Sequence, residues 1–369
     1  MASVENVRAT YRERNIRWGF VWALWCAVLW GAWYVPGSVL YTEAPFAALS
    51  ESTGGYLKAA VAITTLNALA VLLAMFLWVA VLGKSKDYVR TIRQTKMSKW
   101  FAFGAVFGGP MAIFGSVLAI GFVGAAFGAV AGLLYPVVGA LLARLWLKER
   151  ITGRAAVGIG IIVFGGAFTF STGLGDEFTG SGATENAWIG YVGGVMAIVG
   201  WGVEGVIAGK ALDVTDPDVG LTIRFTAETF FWLVVIVPIA SLFLGGGELW
   251  AIMGDAIANP INLVWLALAG LTFGFCYVAW YKSFPLIGVG RGQAIADLYG
   301  VFALAWLTLF TLELPDWRFV VGGLLAIVGG FVLFTERRDV IEVLRSVPGV
   351  GRRARPVEER PPVLAGGER

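Results

Sequence analysis

The 369-residue chain contains no histidine, so any protonation chemistry falls to carboxylates and tyrosines. Glu204 stands in MAIVGWGVEGVIAGK, inside an apolar stretch and flanked by glycines. A charge in a bilayer core costs at least about 2.5 kcal/mol on insertion scales, so this one needs a reason. No basic residue lies one helical turn from it. Two readings follow: a protonated side chain bonded to nearby backbone, or a cation or proton site at the centre of the molecule. Asp297, in GQAIADLYG, has Gln293 at i−4, which offers either a helix-packing hydrogen bond or a site. Glu228 differs, because Arg224 precedes it by four residues and shares its helix face, predicting a structural ion pair. Glu149 and Glu313 stand at helix ends and read as caps or gating contacts.

Aromatic residues are the second informative group. In WGFVWALWCAVLWGAWYVPG, Trp18, Trp22, Trp25 and Trp33 share one helix face, with Trp30 and Tyr34 on the adjacent one. Trp18, Trp22 and Trp25 suit an interfacial belt. Trp30, Trp33 and Tyr34 lie deeper, just before a bend expected at Pro36. Trp201, Tyr135, Trp280, Tyr281 and Tyr299 occupy other apolar stretches that a bundle could gather at one centre. Aromatic faces with one carboxylate suit a quaternary ammonium or guanidinium cation, and plain helix packing is the alternative.

Other constellations carry no chemistry. Cys26 and Cys276 make neither a disulfide framework nor a metal cage, so no metal and no cofactor is expected. The missing histidine excludes a Ser-His-Asp triad and a His-ligated metal or haem. GAAFGAVAG and GVGRGQAIAD follow no strand, so neither is a nucleotide fingerprint. The basic loop at 84–99 abuts two apolar segments and suits lipid headgroups better than nucleic acid.

These residues must be held by membrane helices. Hydrophobic residues make up 58% of the chain and charged ones 14%, where a soluble domain runs nearer a quarter charged. Mean hydropathy is +0.76. A bilayer core needs roughly 20 apolar residues per crossing. That ruler predicts ten spans: 18–40, 57–82, 100–121, 124–147, 155–173, 187–209, 220–245, 258–281, 286–312 and 317–335. With the amino terminus inside, 24 of the 28 basic residues fall on the cytoplasmic side, predicting a multi-pass cell-membrane protein with both termini cytoplasmic.

The sequence also repeats itself. A shift of 164 lays 124–170 on 288–334 without a gap, with 13 of 47 positions identical, among them Tyr135/Tyr299, Glu149/Glu313 and Arg154/Arg318. Trp30-Gly31 falls on Trp201-Gly202 at a slightly different offset, which sets Glu204 opposite Trp33. The unit is five spans, and five is odd, so the two copies cross in opposite senses. The expected fold is an all-α polytopic membrane protein of ten transmembrane helices in two inverted five-helix repeats. Its parts are a cytoplasmic segment 1–17, a first repeat 18–173, an outer loop 174–186, a second repeat 187–335, and a basic, largely disordered tail 336–369.

LYPVVGALLARLWLKERITGRAAVGIGIIVFGG at 134–166 resembles the fourth-to-fifth span signature of EamA-like transporters of the drug/metabolite transporter superfamily. Pro136, Glu149, Ile151 and Thr152 supply its proline, glutamate and following pair. The second copy departs, with Gly300 for the proline and Leu314-Pro315-Asp316 after Glu313. The resemblance covers 18–335 in architecture and implies ten helices in two inverted halves, without specifying a substrate.

The expected function is secondary transport of a small organic solute by alternating access, with an organic cation or amine as the leading substrate class. Trp30, Trp33, Tyr34, Trp201, Glu204, Trp280, Tyr281, Asp297 and Tyr299 are the expected binding residues. Glu204, Glu149 and Glu313 are the expected coupling or gating residues, with protons as a candidate coupling ion. Export of amino acids or of aromatic, amphipathic metabolites or drugs is the alternative. A lipid scramblase or an embedded binding protein is the rival from another class, while an embedded enzyme lacks a nucleophile–base pair. Expected partners are the solute and membrane lipids, not nucleic acid, with a homodimer left open.

Overall fold

A computed structural model of the chain describes residues 4–49, 52–123, 128, 131–169, 171, 187–245, 247–312, 317–337 and 341. Among them every regular element is helical. Helices α1 (Val4–Thr42), α2 (Phe46–Leu49), α3 (Thr53–Val81) and α4 (Ser85–Arg93) come first. Then α5 (Thr95–Val106) and α6 (Phe114–Phe122) flank a π-helical stretch, Phe107–Ile113. Next are α7 (Tyr135–Trp146), α8 (Gly153–Thr169) and α9 (Ala187–Ala211). Helices α10 (Pro217–Phe230) and α11 (Val237–Leu244) flank a second π-helical stretch, Phe231–Ile236. The last are α12 (Glu248–Ala258), α13 (Pro260–Ile287), α14 (Val289–Ala296), α15 (Tyr299–Thr311) and α16 (Trp317–Phe334).

Among the described residues seven helical runs are long and apolar enough to cross a membrane: Thr10–Thr42, Gly54–Val81, Thr95–Ala119, Ala187–Ala211, Pro217–Leu244, Pro260–Ile287 and Val289–Thr311. Ala131–Trp146, Gly153–Phe168 and Val320–Phe334 are shorter apolar helices. The chain is an all-α, multi-pass membrane protein. Its ends are set by local chemistry. Asp216 accepts from the Asp218 and Val219 amides at 3.0 and 3.2 Å, and Pro217 follows in the first turn of α10. Asn259 and Pro260 open α13 in the same manner.

One crossing is discontinuous. Helix α14 stops at Ala296 and α15 starts at Tyr299, with tightened i−3 bonds from Leu298 N to Ile295 O (3.1 Å) and from Val301 N to Leu298 O (3.0 Å). The same pair recurs 164 residues earlier, from Leu134 N to Ala131 O and from Val137 N to Leu134 O, each 3.1 Å. At the first break Pro136 lacks an amide and disfavours a helical residue before it. At the second, Gly300 stands in the proline's place and weakens the helix by its freedom.

Helix α1 lies along α13 and α15, α9 lies against α6 and α7, and α8 pairs with α16. Small residues make the last contact close, as bundles in lipid require. A methyl on Gly158 would sit 3.1 Å from Gly329 O, and one on Gly165 would sit 2.6 Å from Gly322 O.

Several expectations need correction. Within the amino-terminal segment 1–17 the chain is already helical from Val4, continuous with the first span. The basic loop expected at 84–99 contains α4, and α2 and α12 likewise lie between the expected spans. Charge-bearing turns with a few apolar residues are too short for a span but long enough for an interfacial helix. The tail begins as packed structure: Glu336 is buried, and Arg12 Nη2 donates to Ile341 O at 2.8 Å. The loop 174–186, Glu313 and most of the tail lie outside the described residues.

Candidate functional site

Two buried acidic regions lie within the bundle. The first is built by the hairpin of α9 and α10. Glu204 lies seven residues before the end of α9, and Arg224 lies seven residues after the start of α10. At 1.5 Å per residue, both sit about 10 Å from the shared turn. They meet: Arg224 Nε donates to Glu204 Oε1 at 2.7 Å. Arg224 Nη1 donates to Glu228 Oε2 one turn along α10, so the expected Arg224–Glu228 pair forms too. The expectation that Glu204 lacks a basic partner is therefore overturned, since its partner stands on the next helix and not one turn away.

From α13, the Tyr277 hydroxyl donates to Glu204 Oε2 at 3.2 Å and the Tyr281 hydroxyl to Glu204 Oε1 at 3.4 Å. The guanidinium lies over the Phe225 and Tyr277 rings, 4.2 and 4.6 Å from their centroids. The first π-helical stretch forms the roof. Gly108 lies so close that any Cβ would run into Glu204 and Arg224, and one on Gly109 would meet Glu228 Cδ at 2.6 Å. Two carboxylates share one guanidinium in a buried, hydrogen-bonded cluster.

The aromatic set assembles around Trp30. Its ring stacks on Tyr299 at 4.7 Å between centroids and meets Trp201 edge-on at 5.4 Å. Tyr135 lies at 6.0 Å, Trp280 at 6.4 Å and Tyr277 at 6.5 Å. Tyr34 also stacks on Tyr299, at 5.8 Å. Trp33 is set apart, packing on Phe273 at 5.0 Å and donating from Nε1 to Asn67 at 3.2 Å. It borders a separate cavity of 40 Å³ with Asn67, Thr64 and Tyr41. Glu204 therefore faces Tyr277 and Tyr281, not Trp33. Trp18 and Trp25 are about half exposed on the outside of α1, as a belt requires.

Asp297 occupies the break between α14 and α15 and is 2% exposed. Among the described residues neither carboxylate oxygen has a hydrogen-bond partner. The expected side-chain bond from Gln293 is not made, because Gln293 Nε2 donates to Trp201 O at 3.1 Å instead. Gln293 Oε1 is also left without a donor. Tyr299 follows Asp297 two residues on, at the start of α15, with Tyr34 stacked on its ring and Tyr135 joined to it through Trp30.

The membrane face bearing the amino terminus is tied by ion pairs. Asp218 bonds Lys84 at 2.6 Å, Lys282 at 3.0 Å and Trp78 Nε1 at 3.0 Å. Glu149 accepts from the Val289 and Gly290 amides at 2.8 and 3.3 Å, so it caps α14. Arg291 bonds Glu336 at 2.6 Å, and Thr152 bonds Glu336 as well. On the opposite face Lys58 meets Glu248 at 2.6 Å. Between α1, α15 and α16, an apolar groove of 450 Å³ opens sideways, lined by Phe20, Leu24, Leu298, Phe302 and Phe331.

Sequence reasoning missed Tyr277, Phe273 and the facing thiols of Cys26 and Cys276, whose sulfurs lie 3.5 Å apart. Phe273, Tyr277, Trp280 and Phe284 recur at helical spacing along α13, a stripe that could have flagged the first two.

No protein-family model matches the chain, and no curated protein matches it. Among solved structures, a crystal structure of a protein of unstated function matches with a TM-score of 0.58 at 14% identity. The match covers 85% of this chain and 96% of the other, and at that identity it speaks to the fold alone.

Proposed function

We propose that the chain is a secondary transporter that moves a small organic solute across the cell membrane by alternating access between two inverted five-helix halves. The observation that carries this is the α8–α16 contact. Gly158 faces Gly329 and Gly165 faces Gly322, while the repeat equates Gly158 with Gly322 and Gly165 with Gly329. A two-fold axis between the helices exchanges one pair for the other. The matching breaks at Leu134 and Leu298 support the same relation, as does the packing of α1 on α13 beside that of α9 on α6. Inverted halves of this kind supply two access states around one central site, and the resemblance to EamA-like transporters points the same way. The excess of basic residues on the amino-terminal face supports cytoplasmic termini.

The substrate class best matched is an organic cation or amine. Trp30, Tyr34, Tyr135 and Tyr299 offer ring faces, and Asp297 offers an unpaired carboxylate beside them. Glu204 and Glu228 are already held by Arg224, so this cluster braces α9, α10 and α13 around the site. Entry requires the touching rings to part. Glu149, which joins α7's end to the start of α14, is then a gating contact on the amino-terminal face. The sideways apolar groove favours a second reading, an amphipathic metabolite or lipid that reaches the site from the bilayer.

Sealed proteoliposomes test the first reading with guanidinium and tetramethylammonium as probes. Uptake by wild type, reduced at least tenfold by Trp30→Ala, is expected. Lipid exchange between leaflets without uptake of either cation would replace the transporter by a scramblase.

A further inference from the structure

We propose that Asp297 is a proton-binding site, with Gln293 as the acceptor that holds the protonated form in the closed conformation. The inference rests on the transporter reading for its use in coupling, but its chemistry stands on the geometry alone.

Asp297 Oδ1 and Oδ2 and Gln293 Oε1 are three buried acceptors with no donor among the described residues. Buried polar atoms are nearly always paired, so three together at a helix break need a common cause. An ionised carboxylate has no hydrogen to give, and leaves all three orphaned. One proton on Asp297 turns it into a donor. Gln293 is four residues earlier, on the same face of the helix. Its amide nitrogen is already committed to Trp201 O at 3.1 Å, which leaves Oε1 as the end available to an acid. The proton thus pairs one carboxyl oxygen with Gln293 Oε1 and leaves one carboxyl oxygen unpaired in place of three orphaned acceptors.

No other group nearby does this. The titratable side chains gathered at the break are Tyr34 from α1, Tyr135 from α7 and Tyr299 from α15, linked by ring contacts through Trp30. None carries a positive charge. The nearby charged cluster of Glu204, Arg224 and Glu228 is closed on itself and on Tyr277 and Tyr281. A bare alkali or alkaline-earth cation needs about six oxygens, whereas this surround is mainly rings. A proton needs one oxygen.

The step is a simple equilibrium: the carboxylate takes one proton and becomes a neutral acid, and returns that proton when the rings part and water reaches the break. A monovalent organic cation at the same carboxylate would replace the proton charge for charge.

Infrared difference spectroscopy of the purified full chain, titrated across pH, reads the proton directly. Wild type should show a protonated-carboxyl carbonyl band at neutral pH that is missing in Asp297→Asn and kept in Glu204→Gln. Gln293→Met, which removes the acceptor and keeps the bulk, should move the band to higher frequency. A band that survives Asp297→Asn, or none in wild type at any pH, overturns the proposal. Guanidinium and tetramethylammonium uptake by the same preparation tests the transporter reading separately. A standing Asp297 band without uptake of either cation keeps the proton site and removes the organic-cation reading.

Discussion

Glu204 and Asp297 are both acidic, both buried and both set among aromatic rings, yet their surroundings are opposite. Glu204 accepts from a guanidinium and two tyrosine hydroxyls, while Asp297 accepts from nothing described. The difference is topological. Glu204 sits on a helical hairpin whose second helix carries Arg224 at the same depth. Asp297 sits at a helix break, where the backbone turns and its neighbours are rings. Burial alone therefore does not set these two acids apart; the partners left after every neighbour has been accounted for do.

The contrast breaks most visibly at Arg224. Arg224→Met leaves two buried carboxylates without their cation and should destabilise the protein by about 3–5 kcal/mol, read as a loss of thermal stability in detergent. Arg224→Lys should recover little, since a point charge cannot serve both carboxylates as the planar fork does. Adding Glu204→Gln and Glu228→Gln to the Met variant should restore much of the loss, and no restoration would mean that packing, not charge, holds the cluster.

A smaller effect is expected at the roof. Gly108→Ala forces a methyl against Glu204 and Arg224, an overpacking that costs about 1–3 kcal/mol. Stability equal to wild type would show that the π-helical stretch is not pressed onto the cluster.

The water-facing pairs on the amino-terminal face supply a milder comparison. Burial alone would lower the Lys84 pKa, but its bonds to Asp216 and Asp218 outweigh that and hold it raised. A raised lysine favours the folded state fully below the unfolded pKa, and the benefit is lost as pH climbs through the folded one. Lys84→Met should cost about 0.2–1 kcal/mol at neutral pH. The gap from wild type should close in alkaline buffer and stay open on acidification for as long as its partner Asp218 remains ionised.

Asp297→Asn should change least, within about 1 kcal/mol, because the amide can donate to Gln293 as the protonated acid does. Equal losses from Asp297→Asn and Arg224→Met would erase the distinction between the two regions.

Much of the architecture was legible from hydropathy. The span expected at 187–209 is Ala187–Ala211, and that at 220–245 is Pro217–Leu244. The 164-residue offset placed Tyr135 and Tyr299 in register, and both rings lie against Trp30. The pairing inside the bundle was not legible by a search within one helical turn. Equal distances of Glu204 and Arg224 from their shared turn carried that information. Cys26 and Cys276 face each other across helices 250 residues apart in sequence, a contact that no local pattern reports.

The two π-helical stretches have a consequence for inheritance. Each holds one residue more than an α-helix of the same span, so the segment beyond it is rotated by about 100° from where a regular helix would put it. Loss of a single codon within 107–113 would straighten that crossing. It would also swing Gly115 away from the Gly193 carbonyl, which a Cβ there would approach to 2.6 Å. Insertions and deletions that a surface loop would absorb are therefore barred at Phe107–Ile113 and Phe231–Ile236, and their length should be the least variable feature of this membrane domain.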